Sequence, residues 1–452
     1  MKMSVFNRDD FRCKKVVFIC LLFIILFILS VNIGFAVDGQ IDILPTSTSG
    51  YTINQEGTYV LVSNKAITTA GVDGIYINSN NVTLDMNGHS LYSSGNGNEI
   101  GIRCATGFGD NVHIKNGRIF NFKTGISLND SCTLENVTVM NNRGDGIKSG
   151  AGCSIISCKA IENQGHGINA GQGNTIEKCM ATANNKDGNK AGIYADQNST
   201  IINCVSKANN APKITGADSY GIQTGDKCQI VSNHVTGNST DPTFNDGGSV
   251  YGIYTGNQCV IKGNKCTDNS GANQNSTVIG IFTGDDCSIT ENLCSNNTTN
   301  GTHSSGYGIF CKKRCVVANN ICNGNGAPGN VNGYMGVGIY ADGEQCNVFG
   351  NTCNGNTGVQ MSSVGIHTEG SGCRVVENDC SNHSGATTFN LGIWVESTAD
   401  SVVIRNNTSN NTTDGLSVVG NGNYIAENTA SDGISITGTN TIGTGDRSNI
   451  TY

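Results

Sequence analysis

Gly252-Ile-Tyr-Thr-Gly-Asn-Gln-Cys259-Val-Ile-Lys-Gly-Asn264-Lys-Cys266-Thr-Asp-Asn269 returns 28 residues later as Gly280-Ile-Phe-Thr-Gly-Asp-Asp-Cys287-Ser-Ile-Thr-Glu-Asn292-Leu-Cys294-Ser-Asn-Asn297. In each copy three short segments alternate apolar and polar residues with period two, and Gly or Asn stands at every break, which predicts three strands per copy. No segment holds a 3.6-residue period long enough for a helix. Outward from these copies, Gly-Ile (once Gly-Leu) recurs fifteen times: at Gly74, Gly101, Gly125, Gly146, Gly167, Gly192, Gly221, Gly252, Gly280, Gly308, Gly338, Gly365, Gly392, Gly415 and Gly433. The intervals run from 18 to 31 residues. A three-stranded unit of this size buries its apolar side only against the next copy, so the chain is expected to wind into a solenoid. The predicted fold is all-β, a single-stranded parallel β-helix of about 14–15 coils, each of three short strands.

Composition agrees. The 452 residues include 61 Gly and, by count, 61 Asn, with only 14% charged and 6% aromatic residues. Gly and Asn are poor helix formers, which excludes helical bundles and coiled coils. Val, Ile and Cys recur too regularly for disorder. Net charge is −8. A chain of this sign lacks the basic surface that nucleic-acid binding needs, so no nucleic-acid partner is expected.

Stacking turns each repeated position into a ladder with a rise of about 4.8 Å per coil. Asn233, Asn264, Asn292, Asn320, Asn351, Asn378, Asn406 and Asn428 form one, continued backwards by Cys158, Cys179 and Cys204. Asn142, Asn163, Asn184, Asn209, Asn238, Asn269, Asn297, Asn325, Asn356 and Asn411 form a second, with His383 as its exception. These asparagines are expected to take the left-handed corner conformation and to bond amide to amide along the stack. Cys132, Cys153, Cys228, Cys259, Cys287, Cys315, Cys346 and Cys373 share one inward position, and Cys266, Cys294, Cys322, Cys353 and Cys380 another. Two readings stand for them. Export and Cys abundance suggest disulfides, but parallel Cβ atoms about 4.8 Å apart exceed disulfide spacing and suggest buried free thiols.

At the N-terminus, Lys2, Arg8, Arg12, Lys14 and Lys15 precede the apolar run Val16 to Leu29, and Gly34-Phe35-Ala36 follows. A basic start, a short apolar core and small residues at −3 and −1 read as a secretory signal peptide over 1–36. The protein is thus expected to be secreted or to act at the cell surface (periplasmic or extracellular). A membrane contact follows only if this segment stays uncleaved as an anchor. Residues 37–73 are expected to form an N-terminal cap, 74–437 the β-helix and 438–452 a short C-terminal end.

The Gly-Ile, Asn-corner and Cys/Val/Ile positions from about Gly74 to Thr437 resemble those of the right-handed parallel β-helix superfamily, the pectate-lyase-like fold. The opening coils, Asn81-Val-Thr-Leu-Asp-Met-Asn-Gly-His89 and Asn111-Val-His-Ile-Lys-Asn-Gly-Arg118, are similar to the first coils of exported members. The resemblance implies the fold but no single activity, because that superfamily spans lyases, hydrolases, epimerases, tailspikes and adhesins. Its polygalacturonases carry Asn-Thr-Asp, Asp-Asp, Gly-His-Gly and Arg-Ile-Lys in that order. Here Gly165-His166-Gly167 precedes Asp285-Asp286, and neither Asn-Thr-Asp nor Arg-Ile-Lys occurs. Both fragments fall on ordinary repeat positions, so that hydrolase assignment is rejected.

One column points to function. The residue after Gly-Ile should face outward, and along the stack it reads Tyr254, Phe282, Phe310, Tyr340, His367 and Trp394, then Ser417. Aromatic faces at this spacing suit a sugar chain, and the expected function is binding of a polysaccharide or cell-surface glycan along this face. Two residues on, Lys312, Asp342, Glu369 and Glu396 form the next outward column. The carboxylates of Asp342, Glu369 and Glu396 would repel one another, which invites a cation such as Ca²⁺. The same patch leaves catalysis open, with His367 as base, Asp342, Glu369 and Glu396 as acids or cation ligands, and Lys312 stabilising an anion. A polysaccharide lyase or epimerase acting on a uronate polymer is therefore the alternative, and a structural envelope or spike protein a second one.

Overall fold

A computed structural model describes residues 39–44, 48–94, 99–211, 216–240, 247–272, 274–328, 334–445 and 450–451. The expected signal segment, 1–36, lies outside the described residues. Among them there is no α-helix.

Every strand pairing is parallel and joins the same position of successive coils. Ile281 of Thr277–Thr283 pairs with Ile253 below and Ile309 above, while Phe282 pairs with Tyr254 and Phe310. The fifteen Gly-Ile positions fall on one face of seventeen stacked strands. Two further faces follow each turn, for example Ser288–Thr290 and Leu293–Ser295, and they run together only in the eight-residue strands His113–Phe120 and Thr133–Met140. The fold is the parallel β-helix that the repeat predicts. Coil-to-coil pairing begins at Gln40–Ile43, which pairs in register with Thr58 to Leu61, and still holds at Thr441–Ile442.

Alternation sends Ile, Val, Leu, Ala and Cys into one continuous core. Gly-Ile recurs because the Gly has no room for a side chain. A Cβ on Gly308 would lie 2.5 Å from the Gly338 carbonyl oxygen and 2.8 Å from Asn325 Nδ2 of the ladder. That contact lets the chain round the corner directly against the next coil.

Both Asn ladders are buried and fully bonded. Asn292 Oδ1 accepts from the Asn264 backbone N–H (2.9 Å) and from Asn264 Nδ2 (3.0 Å). Asn292 Nδ2 in turn donates to Asn320 Oδ1 and to the Ile261 carbonyl, both at 3.0 Å. The expected left-handed conformation belongs elsewhere, which corrects the reading above. The residue with positive φ is the one before each ladder Asn: Ser232, Gly263, Glu291, Asn319, Gly350, Glu377, Arg405 and Glu427. Residues of every kind bear this strain because the following amide locks the corner.

The thiols substitute for amides in the same scheme. Cys259 N–H donates to Cys287 Sγ (3.4 Å), and Cys287 Sγ–H donates to the Gly256 carbonyl (3.4 Å). All eighteen cysteines among the described residues are free and buried. Parallel stacking sets the sulfurs side by side as weak donors and acceptors, so the free-thiol reading holds.

Candidate functional site

The outward column is a ladder of rings, as its spacing predicts, but the rings face one another. Tyr254 and Phe282 stack with centroids 4.8 Å apart and planes 8° from parallel, and Phe282 and Phe310 at 5.4 Å and 26°. His367 and Trp394 stack at 4.2 Å and 2°. Tyr340 tilts between Phe310 and His367. One coil spacing is close to the stacking distance of rings, so the faces of the Tyr254–Phe282–Phe310 run and of the His367–Trp394 pair are spent on one another. This corrects the expectation of sugar-facing rings along the whole column. The row ends at Trp394, where the next members are Ser417 and Ser435, and no ring of the row covers the far side of the indole.

A second apolar row beside it was missed in the sequence. Tyr220, Tyr251, Ile279, Tyr307, Val337, Val364 and Leu391 stack in register, each just before the Gly of Gly-Ile. Strict alternation would point them inward. The Gly corner interrupts that alternation, and Val337, Val364 and Leu391 form a cluster apart from the core, packed by Tyr307, Met335, Tyr340 and Trp394. The signal was readable, for an apolar residue precedes Gly in seven consecutive copies.

Along this side the connecting segments stack as well. Ser270–Gly271 pairs with Thr298–Thr299, and single bridges carry the column through Gly326, Thr357 and Ser384. Past it, Met335, Met361, Thr388 and Phe389 join Tyr340, His367 and Trp394 to wall a cleft of about 240 Å³, with Glu369 and Glu396 on its polar side. The cleft lies at the end of the ring row, beside the one indole.

Register brings Asp342, Glu369 and Glu396 onto adjacent coils, as the spacing predicts. Their roles diverge. Asp342 is held by Lys312, whose ammonium also sits 4.9 Å over the Phe310 ring. Arg314 is bound to Asp286 at 2.7 and 2.9 Å. Neither cation is among the residues lining the cleft. Glu369 instead accepts the Tyr340 hydroxyl at 2.5 Å, and both Glu369 and Glu396 approach His367 Nε2, at 3.7 and 3.6 Å. These three form the only group among the described residues whose His, Cys or carboxylate atoms lie close enough to share a metal ion, all within 4.8 Å. Asp342 is not part of it.

His367 is 2% exposed, and neither ring nitrogen has a hydrogen-bond partner. Burial pushes its pKa from 6.5 down to about 3, so the imidazole is neutral at pH 7. Burial, aided by the charge of Glu369, raises the Glu396 pKa. Burial, then the Glu369 bond, raises that of Tyr340, which keeps its proton and donates. The polygalacturonase-like fragments do not meet. His166 is buried, accepts the Ala191 N–H on Nδ1 at 2.9 Å, and lies four coils, roughly 19 Å, from Asp285 and Asp286.

No family model matches the sequence, and no curated protein matches it. Solved structures share the coil. The A-module of the Azotobacter vinelandii mannuronan C-5 epimerase AlgE6 aligns with 88% of this chain and 92% of its own, at 10% identity and a TM-score of 0.44. The periplasmic alginate epimerase AlgG aligns with 90% of this chain and 84% of its own, at 11% identity and 0.32. Pectate lyase Pel9A aligns with 74% and 68%, at 13% identity and 0.21. These likenesses assign no chemistry to this chain.

Proposed function

We propose that this is an exported glycan-binding protein whose binding site is the cleft at the C-terminal end of the ring row, rather than the whole face. The observation that carries this reading is the cleft's make-up: the rings of Trp394 and Phe389 together with Glu369, Glu396 and the Tyr340 hydroxyl. A sugar ring asks for that pair, an aromatic surface for its C–H face and fixed acceptors for its hydroxyls. No Lys or Arg lines the cleft, so a chain of uncharged sugars suits it better than a uronate polymer, whose carboxylates would meet those of Glu369 and Glu396. The same charge pattern weighs against the lyase or epimerase alternative. With its pKa at about 3, His367 is also a weak base for abstracting a sugar proton.

Affinity electrophoresis through gels of neutral and of uronate polysaccharides tests the reading. The wild-type chain should be retarded by a neutral glycan, and Trp394→Ala and Phe389→Ala should migrate freely while their unfolding midpoints stay within a few degrees. Unaltered retardation of both variants, or equal retardation by uronate, overturns it.

A further inference from the structure

His367 is a costly residue as it stands. An imidazole buried with both nitrogens unbonded loses the hydrogen bonds that water gave it and gains none in return. Nothing in the coil requires His at this place, for Phe and Tyr fill the same row one and two coils below. Its Nε2 faces two carboxylates at 3.6 and 3.7 Å, too far for good hydrogen bonds and close to what a shared ion would produce. A metal bound tetrahedrally at 2.0–2.1 Å from N and O ligands holds those ligands about 3.4 Å apart. Two carboxylates balance a divalent ion, and the stacked pair Glu369 and Glu396 otherwise repel across one coil spacing.

We propose that His367 Nε2, Glu369 and Glu396 bind one divalent transition-metal ion of the Zn²⁺ class, its remaining coordination position open to the cleft. The donor set selects the ion. Ca²⁺ takes six to eight oxygens and has no use for a nitrogen, whereas neutral imidazole with carboxylates suits Zn²⁺ and Co²⁺. The third carboxylate that a Ca²⁺ site would recruit, Asp342, is tied to Lys312. Tyr340 completes the arrangement by donating to Glu369 Oε1, the outer partner that fixes a ligating carboxylate in place. The site stands on its own geometry, and the preference for neutral sugars argued above describes the ion-free cleft.

The test uses the full chain, stripped with a chelator and titrated with Co²⁺ by visible absorption and with Zn²⁺ by calorimetry. The expected result is one equivalent of either ion, ligand-field bands of a low-coordinate Co²⁺ that Zn²⁺ abolishes, and no displacement by millimolar Ca²⁺. Glu396→Gln changes a half-exposed side chain and should leave the circular dichroism spectrum intact while weakening Co²⁺ binding by more than about 100-fold, beyond the loss typical of an outer-shell partner. Glu291→Gln, an ion-paired carboxylate on a different face, should bind as wild type. Substoichiometric binding, wild-type affinity in both Glu396→Gln and Glu369→Gln, or competition by Ca²⁺ overturns the proposal. Glycan retardation measured with and without chelator is read separately, so loss of one property does not count against the other.

Discussion

Replacing Asn292 with Ala removes one rung from the middle of an eight-member amide ladder. Four hydrogen bonds vanish: two accepted by Oδ1 from Asn264 and two donated by Nδ2 to Asn320 and Ile261. The partners do not suffer equally. Asn320 Oδ1 keeps the Asn292 backbone N–H, and Asn264 Nδ2 keeps the Ile230 carbonyl, but the Asn264 backbone N–H loses its acceptor. One buried orphan at about 1–3 kcal/mol, plus half-satisfied neighbours at about 1 kcal/mol each, gives a loss of roughly 3–5 kcal/mol. Asn292→Cys provides the contrast. Lower in the same ladder, Cys179 Sγ accepts the Cys158 N–H at 3.4 Å and donates to the Ile155 carbonyl at 3.3 Å. A thiol at 292 would restore an acceptor to Asn264 N–H and a donor to Ile261, so its loss should be about 1–2 kcal/mol. Urea unfolding gives the totals. Hydrogen exchange should show the weakened protection confined to the coils of Asn264, Asn292 and Asn320, since each coil touches only its neighbours. An Ala variant within 1 kcal/mol of wild type, or Ala and Cys variants of equal stability, refutes the account.

His383 replaces Asn in the second ladder, and burial lowers its pKa from 6.5 to about 4. The unfolded chain takes up this proton below about pH 6.5 and the fold only near 4. Stability is therefore level above that window and falls as pH drops through it. Between pH 7 and 4.5, wild type should lose about 2–3 kcal/mol more than His383→Asn, which shares its other titrating groups; parallel declines in urea unfolding would refute this. Burial also raises the Cys266 and Cys380 thiols. Mass spectrometry after native alkylation should find the eighteen described cysteines unmodified, and all of them modified in denaturant; native labelling of the Cys266 to Cys380 column would contradict its place in the core.

The winding was legible because its causes are local and repeated. Period-two alternation and Gly-Ile spacing gave the strands, and stacking then gave the columns, including the Glu369–Glu396 pair. What escaped depends on orientation, not position. The sequence places Tyr254 above Gln223 and below Phe282, but whether a ring shows solvent its face or its edge is decided by rotamers packing at one coil spacing. The left-handed residue is likewise hidden, because Glu291 or Arg405 carries no propensity for it and the amide that enforces it belongs to the next residue. The division between Asp342 and its two neighbours turns on Lys312, whose long side chain reaches one coil up.

Every ladder amide sends one hydrogen the same way along the rod, from Asn233 toward Asn428, and the other back to a carbonyl of the turn before. Any turn that presents the same oxygen and hydrogen below and the same hydrogen above can be slotted between two others without leaving a dangling group. Gene duplication could therefore lengthen this protein one whole turn at a time, while slack for odd residues exists only between ladders, where turns already range from 18 to 31 residues.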